Sequence, residues 1–178
     1  MSEKMTPVAL SLAALSVEYC KAITNCAGEQ PRKFLRDVLR FLPRFYIILS
    51  DLDPYGNGAD EPVEETGAIY STLSEEQYDD LREAVAAILG ENDMYLETAI
   101  EDMRFSDTPV AVSLSERLAD IYQCMADFAA AVGQCMPDMV PDVLADVKYR
   151  FASYLSDALC SAQKAADYIY YNANLDAE

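Results

Sequence analysis

The sequence predicts an all-α protein, a bundle of five to six helices with a long C-terminal helix and an acidic loop at about residues 52–73. Three observations lead to this prediction. Apolar residues recur every three or four positions over most of the chain, capping residues precede several of these stretches, and glycine or proline interrupts them. The length of 178 residues suits one domain, which we expect to span residues 1–178 with an ordered core over about 7–172.

The first helix is predicted from about Pro7 to about Cys26. Thr6 followed by Pro7 has the form of an N-cap and a first-turn proline. Apolar residues then recur at helical spacing, and Gly28 ends the pattern.

A second helix is predicted from about Pro31 to Leu49, with Pro43 inside it. Proline removes one intrahelical hydrogen bond, so we expect a kink or a break at Pro43 that leaves two shorter helices. The same segment carries arginines at positions i, i+4, i+8 and i+12. This spacing places them along one slowly drifting stripe; they are Arg32, Arg36, Arg40 and Arg44.

Helical periodicity is lost between Leu52 and Leu73, where glycines and prolines at turn spacings predict a loop. A loop of this length within a domain is usually functional or disordered. Ser74 and Gln77 then have the spacing of a capping box, and the helix they begin ends at Gly90. The following stretch, residues 91–103, is compatible with a short helix or with an extended segment laid across the bundle.

The clearest helix follows Ser113, which stands with Glu116 in the spacing of a capping box. Gly133 is expected to end this helix. Pro109, capped by Thr108, is an alternative start four residues earlier. The apolar stripe runs at spacings of four and three and consists of Leu114, Leu118, Ile121, Met125, Phe128 and Val132.

Residues 136–141 form a connector with two prolines, and one long final helix is predicted from about Leu144 to about Asn172. Its apolar residues keep a near-heptad spacing, and small residues in its later half allow a neighbouring helix to approach closely. The tyrosine cluster at residues 168–171 either packs under the loop or forms a dimer contact.

The composition excludes several kinds of chemistry. There is no histidine, so the commonest general base, the usual zinc nitrogen ligand and every Ser–His or Cys–His pair are absent. The 5 cysteines show no C-x-x-C spacing, which argues against a zinc site or a disulfide framework. We therefore expect no cofactor and no catalytic residues.

The net charge also limits the partners. With 31 acids against 13 bases, the surface repels phosphate backbones, and we expect no direct nucleic-acid binding. No apolar run approaches the roughly 20 residues of a membrane-spanning helix. The expectation is a cytoplasmic protein, as a monomer or a homodimer.

The arginines of the second helix suggest two interpretations. They are neutralised internally by the acidic loop or by Glu116, Asp120 and Asp127, or they bind a carboxylate or phosphate, which arginine recognises well. The second interpretation predicts an interaction or adaptor module with an unknown protein partner. Its candidate binding residues are Arg32, Arg36, Arg40, Arg44, Arg104 and Asp120.

An alternative function is a magnesium- or manganese-dependent phosphohydrolase like the all-α nucleotide pyrophosphatases, in which acids on facing helices hold the metal ions. The candidate ligands are Glu76, Asp80, Glu116 and Asp120. An exposed helix face accounts for these acids better, because Glu76 suits the first turn of a helix and Asp80 flanks the apolar stripe.

The segment from Met94 to Phe128, above all SDTPVAVSLSERLADIYQCMADF, resembles a bacterial family catalogued as domain of unknown function 5063. The segment FLRDVLRFLPRFYIILSDLDP extends the similarity to most of the chain in the same order. The resemblance implies a helical bundle in a cytoplasmic bacterial protein. It implies no activity, cofactor or catalytic residue.

Overall fold

The computed structural model describes residues 7–98 and 108–175, and within these ranges the chain folds as a helical bundle. Short 3-10 turns lie at Gly90–Asn92 and Pro137–Met139. The prediction of an all-α bundle of five to six helices is confirmed. The helices are α1 (Pro7–Thr24), α2 (Pro31–Ser50), α3 (Glu75–Leu89), α4 (Leu114–Gln134), α5 (Val140–Arg150) and α6 (Ser156–Asn172).

Helix α4 lies at the centre, in contact with α1, α3, α5 and α6, while α2 packs mainly on α6. Tyr19 of α1 joins three of these helices. Its ring lies edge-on to Phe41 and Phe45 of α2, with centroids 5.6 and 5.4 Å away. Its hydroxyl donates to the carbonyl of Leu118 in α4 at 2.9 Å, so the buried phenol is satisfied.

The start of α4 is capped as predicted by Ser113, whose hydroxyl oxygen accepts the Glu116 N–H at 3.2 Å. The carboxylate that completes the cap is Asp93, which accepts the Ser115 N–H at 2.7 Å and both serine hydroxyls. The helix ends within one residue of the stop expected at Gly133. Gly133 keeps a negative φ, and α4 ends one residue after it.

Two short antiparallel strands precede α4: β1 (Met94–Glu97) and β2 (Val110–Ser113), with Met94 opposite Ser113 and Glu97 opposite Val110. The extended conformation expected for this stretch is therefore right for residues 94–97, but Met94 and Leu96 are 57% and 71% exposed, so these residues do not lay the segment across the bundle. Residues 99–103 lie outside the described part of the chain. The alternative helix start at Pro109 is wrong, because residues 110–113 pair as a strand.

Helix α2 is continuous through Pro43, so the predicted break into two shorter helices is wrong. Pro43 is exposed, and the carbonyl that loses its partner can therefore bond to water. On the opposite side of α2, Leu42, Phe45 and Leu49 are buried and keep both halves on one core face.

Helices α5 and α6 form one continuous C-terminal helix, joined by a π-helical turn at Phe151–Leu155. The Ser156 N–H bonds to the Phe151 carbonyl, five residues back, and this turn therefore holds one more residue than an α-helical turn. The prediction of a long C-terminal helix is confirmed. Among the helices of residues 7–98 and 108–175, none combines the length and apolarity needed to cross a bilayer.

Candidate functional site

The predicted arginines form a band across the outer face of α2, and all four are exposed: Arg32, Arg36, Arg40 and Arg44. Because positions four apart are rotated by about 40° on an α-helix, the band drifts from the α6 side to the α1 side. The Arg32 guanidinium lies 5.5 Å from the ring centre of Tyr170 in α6, whereas Arg44 lines a groove against α1. We call this band the arginine stripe.

Two members of the arginine stripe are not neutralised by any residue that the structure describes. The Arg36 Nε lies 3.8 Å from its neighbour Asp37, a weak surface contact. Arg40 and Arg44 form no ion pair within 4.0 Å in the part of the chain that the structure describes. The expected neutralisation by the acidic loop or by Glu116, Asp120 and Asp127 is therefore wrong for Arg40 and Arg44.

The acidic loop is instead held by acids of other helices. Asp146 of α5 is buried and accepts hydrogen bonds from the N–H groups of Thr66, Gly67 and Ile69; the Gly67 and Ile69 bonds are 3.1 and 2.9 Å long. Gly67 has a φ of +74°, which only glycine adopts without strain. This turn aims successive N–H groups at one carboxylate. We call the anchored stretch the 66–72 segment.

Burial alone would raise the pKa of Asp146, but the hydrogen bonds from Thr66, Ile69 and Gly67 outweigh it and hold the pKa below its ordinary value. Asp146 is therefore ionised at neutral pH, and the N–H groups of the 66–72 segment are bound to a full negative charge.

A second buried acid anchors the end of the same segment. Asp127 of α4 accepts the Thr72 N–H at 2.7 Å and the Thr72 hydroxyl at 2.8 Å. Its other oxygen lies 3.6 Å from the Arg150 guanidinium, which also donates to the Ile69 carbonyl at 3.0 Å. Asp127 is thus committed to Arg150 and Thr72, and its expected pairing with the arginine stripe is wrong.

Lys148 closes the C-terminal end of α2. Its buried ammonium donates to the carbonyls of Leu49 and Ser50 at 2.8 and 2.7 Å, where the helix leaves carbonyls without partners. Burial lowers the pKa of Lys148, and the nearby acids Asp60, Asp51 and Asp53 oppose that shift. This cation is structural.

Of the remaining partner candidates, Asp120 is half-buried and accepts the Tyr78 hydroxyl of α3 at 2.7 Å. Burial, followed by this bond to Asp120, raises the pKa of Tyr78. Asp120 is therefore engaged with α3, away from the arginine stripe on α2. Arg104 lies outside the described residues.

The four acids of the metal-binding alternative are not brought together at one site. Glu76, Asp80 and Glu116 are exposed, and Asp120 is bonded to Tyr78. Within residues 7–98 and 108–175, no group of three or more His, Cys, Asp or Glu side chains is placed to hold a metal ion.

Two of the cysteines are present mainly as thiols at neutral pH. Burial raises the pKa of Cys124 and raises that of Cys20 to about 12, and the thiolate, which is the reactive form, is therefore scarce at both positions.

Sequence reasoning missed the buried charges Asp146 and Lys148 and the half-buried Arg150. A signal existed, because Asp127 and Asp146 interrupt apolar helix faces, between Met125 and Phe128 and between Leu144 and Val147. An acid inside an apolar stripe indicates a buried partner. The spacing does not show that the partner is the backbone of a loop some 80 residues away.

The comparison with protein families adds to this geometry. The model of the family described as "Domain of unknown function (DUF5063)" matches residues 3–172. The chain belongs to the DUF5063 family. The resemblance expected from residues 94–128 and from the second-helix segment is confirmed, and the DUF5063 match extends it over almost the whole chain.

One solved structure with the same fold is the crystal structure of protein BF1032 from Bacteroides fragilis, a target of the Northeast Structural Genomics Consortium. It is 24% identical, with a TM-score of 0.69, over 93% of this chain and 97% of that one. This likeness concerns the fold of the DUF5063 chain alone. No curated protein matches the chain.

Proposed function

We propose that this DUF5063 protein is a cytoplasmic protein–protein interaction module, and that its arginine stripe binds an acidic segment of a partner protein. The observation that carries the proposal is the exposure of Arg40 and Arg44 without an ion-pair partner among the described residues, in a chain of net charge −18. Acids are abundant in this chain, yet none in the described part neutralises these two arginines.

The charge of the whole chain limits what the stripe can bind. At physiological salt, charges more than about 8 Å away are largely screened. The electrostatic energy of a short acidic segment is therefore set mainly by the arginines that it contacts. A long polyanion such as nucleic acid would also contact the acidic remainder and be repelled. A short carboxylate-rich peptide segment therefore fits the stripe better than a nucleic acid does.

Site-specific photo-crosslinking tests this proposal. Pro43 is exposed and lies between Arg40 and Arg44, so a benzoylphenylalanine at position 43 reports on whatever touches the stripe in native cells. We expect a discrete protein adduct whose yield falls at least about fivefold with Arg40→Glu, because the attraction becomes a repulsion.

The matched control is Arg82→Glu, which changes the net charge equally but lies on α3, a helix that packs on α4. It should leave the adduct unchanged. The proposal fails if no adduct forms, or if Arg40→Glu and Arg82→Glu reduce the adduct equally.

The metal-dependent phosphohydrolase has no observation in its favour, because its four candidate acids do not converge. Calorimetric titration with magnesium or manganese tests it directly. Binding that Glu116→Gln abolishes would revive it.

A further inference from the structure

We propose that the partner segment is an amphipathic helix with an acidic edge, and that it lies in the groove between α1 and α2. This inference rests on the proposed function, since Arg44 belongs to both surfaces. The groove has two adjoining parts of about 340 and 360 Å³ that share Glu18. The first part is walled by Ala14, Leu15, Ile47 and Ile48, and the second continues to Phe34.

The first part of the groove lies within a larger apolar surface. Ala14 is exposed, and Leu10 and Val17, which precede and follow it on the same stripe of α1, are 52% and 57% exposed. Ile47 on the opposite wall is 60% exposed. Single exposed apolar residues are ordinary, but a contiguous apolar surface with a polar edge marks an interaction site.

The charges at the edges select the occupant. In the first part of the groove, Arg44 stands on the α2 edge without an ion-pair partner among the described residues, Arg40 is one turn away, and Glu18 stands on the α1 edge. The second part carries mixed charges, with Lys33 and Asp37 of α2 and Lys21 of α1 among its lining residues, so the selection of an occupant by charge rests on the first part. An occupant with carboxylates along the side that faces α2 neutralises the two arginines. A basic or neutral opposite side avoids repulsion from Glu18. This complementarity favours a helix whose α2-facing edge is acidic.

The dimensions suit a helix. From Ser11 to Ile23 the α1 wall is about 18 Å long at 1.5 Å per residue, which matches a helix of about 12 residues. Helix α1 packs mainly on α4, and α2 mainly on α6, while other residues of both helices line the groove. A third helix can bury its apolar face between them, as in other helix-in-groove complexes.

The test uses a displayed library of helical peptides of about 18 residues. Each peptide has a fixed leucine stripe, and the two edges are randomised among Glu, Lys and Ser. The full chain is the bait for selection, and its Ala14→Arg variant, which fills the groove, is used only afterwards, to measure the affinity of the selected peptides. We expect enrichment of Glu on one edge only. Selected peptides should lose at least about tenfold in affinity on Ala14→Arg and on Ile47→Ser.

The matched control is Ala87→Arg, since Ala87 is also an exposed helical alanine but lies on α3. Circular dichroism verifies that each variant folds. Because Ala14 and Ile47 are exposed, neither substitution disturbs the core.

The outcomes separate this inference from the proposed function. Peptides that bind wild type and Ala14→Arg equally, a basic enriched edge, or no enrichment would each overturn the groove. If the groove variants leave the cellular adduct at position 43 intact while Arg40→Glu removes it, the proposed function of the arginine stripe is supported and helix binding in the groove is overturned. If Arg40→Glu also leaves the adduct intact, both fail.

Discussion

The α4–α5 side and the α2 face of the bundle use charge in opposite ways. On the first, Asp127 and Asp146 are 2% exposed, and their oxygens accept hydrogen bonds from the 66–72 segment. On the second, Arg40 and Arg44 are exposed and unpaired within the described residues. A buried charge is stable only when its surroundings satisfy it, whereas an exposed one is satisfied by water.

The difference separates structural charges from available ones. Replacing a buried acid should damage the fold, and replacing an exposed arginine should leave the fold intact and change only what the surface binds. Each of the following measurements can break or sharpen this comparison.

The largest effect is expected from Asp146→Ala. It leaves the N–H groups of Thr66, Gly67 and Ile69 without their acceptor, and a cost of about 3 kcal/mol in the free energy of unfolding follows from unsatisfied groups of this kind. Urea denaturation measures it. The exposed Asp157→Ala is the control and should change stability by less than about 0.5 kcal/mol. Equal effects of the two variants would show that Asp146 does not anchor the segment.

An intermediate effect is expected from acid. Because hydrogen bonds hold the pKa of Asp146 below its ordinary value, the folded state binds this proton less readily than the unfolded state. The stabilisation is therefore fully present above the ordinary aspartate value of about 4 and is lost as the pH falls through the lowered one. Denaturation as a function of pH, compared between wild type and Asp146→Asn, isolates this contribution. The Asn variant should show the shallower loss below about pH 4, and identical profiles would contradict the assignment.

The smallest effect on stability is expected from Arg40→Ala with Arg44→Ala. Neither arginine has an ion pair to lose in the described structure, so the free energy of unfolding should change by less than about 0.5 kcal/mol. Thermal and urea denaturation measure it. A loss above about 2 kcal/mol in the free energy of unfolding would show that the two arginines stabilise the fold, and it would remove the basis for the proposed function.

The sequence predicts the helices well where local signals decide. Ser74 and Ser113 cap helices where their spacing indicates, and the arginine stripe follows from the i, i+4 pattern. The features that the sequence did not predict depend on tertiary contacts. The continuity of α2 through Pro43 depends on which side of the helix faces water, and the anchoring of the 66–72 segment by Asp146 depends on contacts between residues far apart in the chain.

The π-helical turn at Phe151–Leu155 has a consequence for how the family varies. One residue added to a helix rotates everything after it by about 100°, so the faces of α5 and α6 are offset by that amount. A relative with a regular helix here would carry one residue fewer, and its apolar positions beyond the turn would each fall one place earlier in the sequence. In such a relative, the residue that stacks on the counterpart of Arg32 would stand one position earlier in the sequence than Tyr170 does here. An alignment of the two chains would therefore need a one-residue gap at the turn to match the positions that follow it.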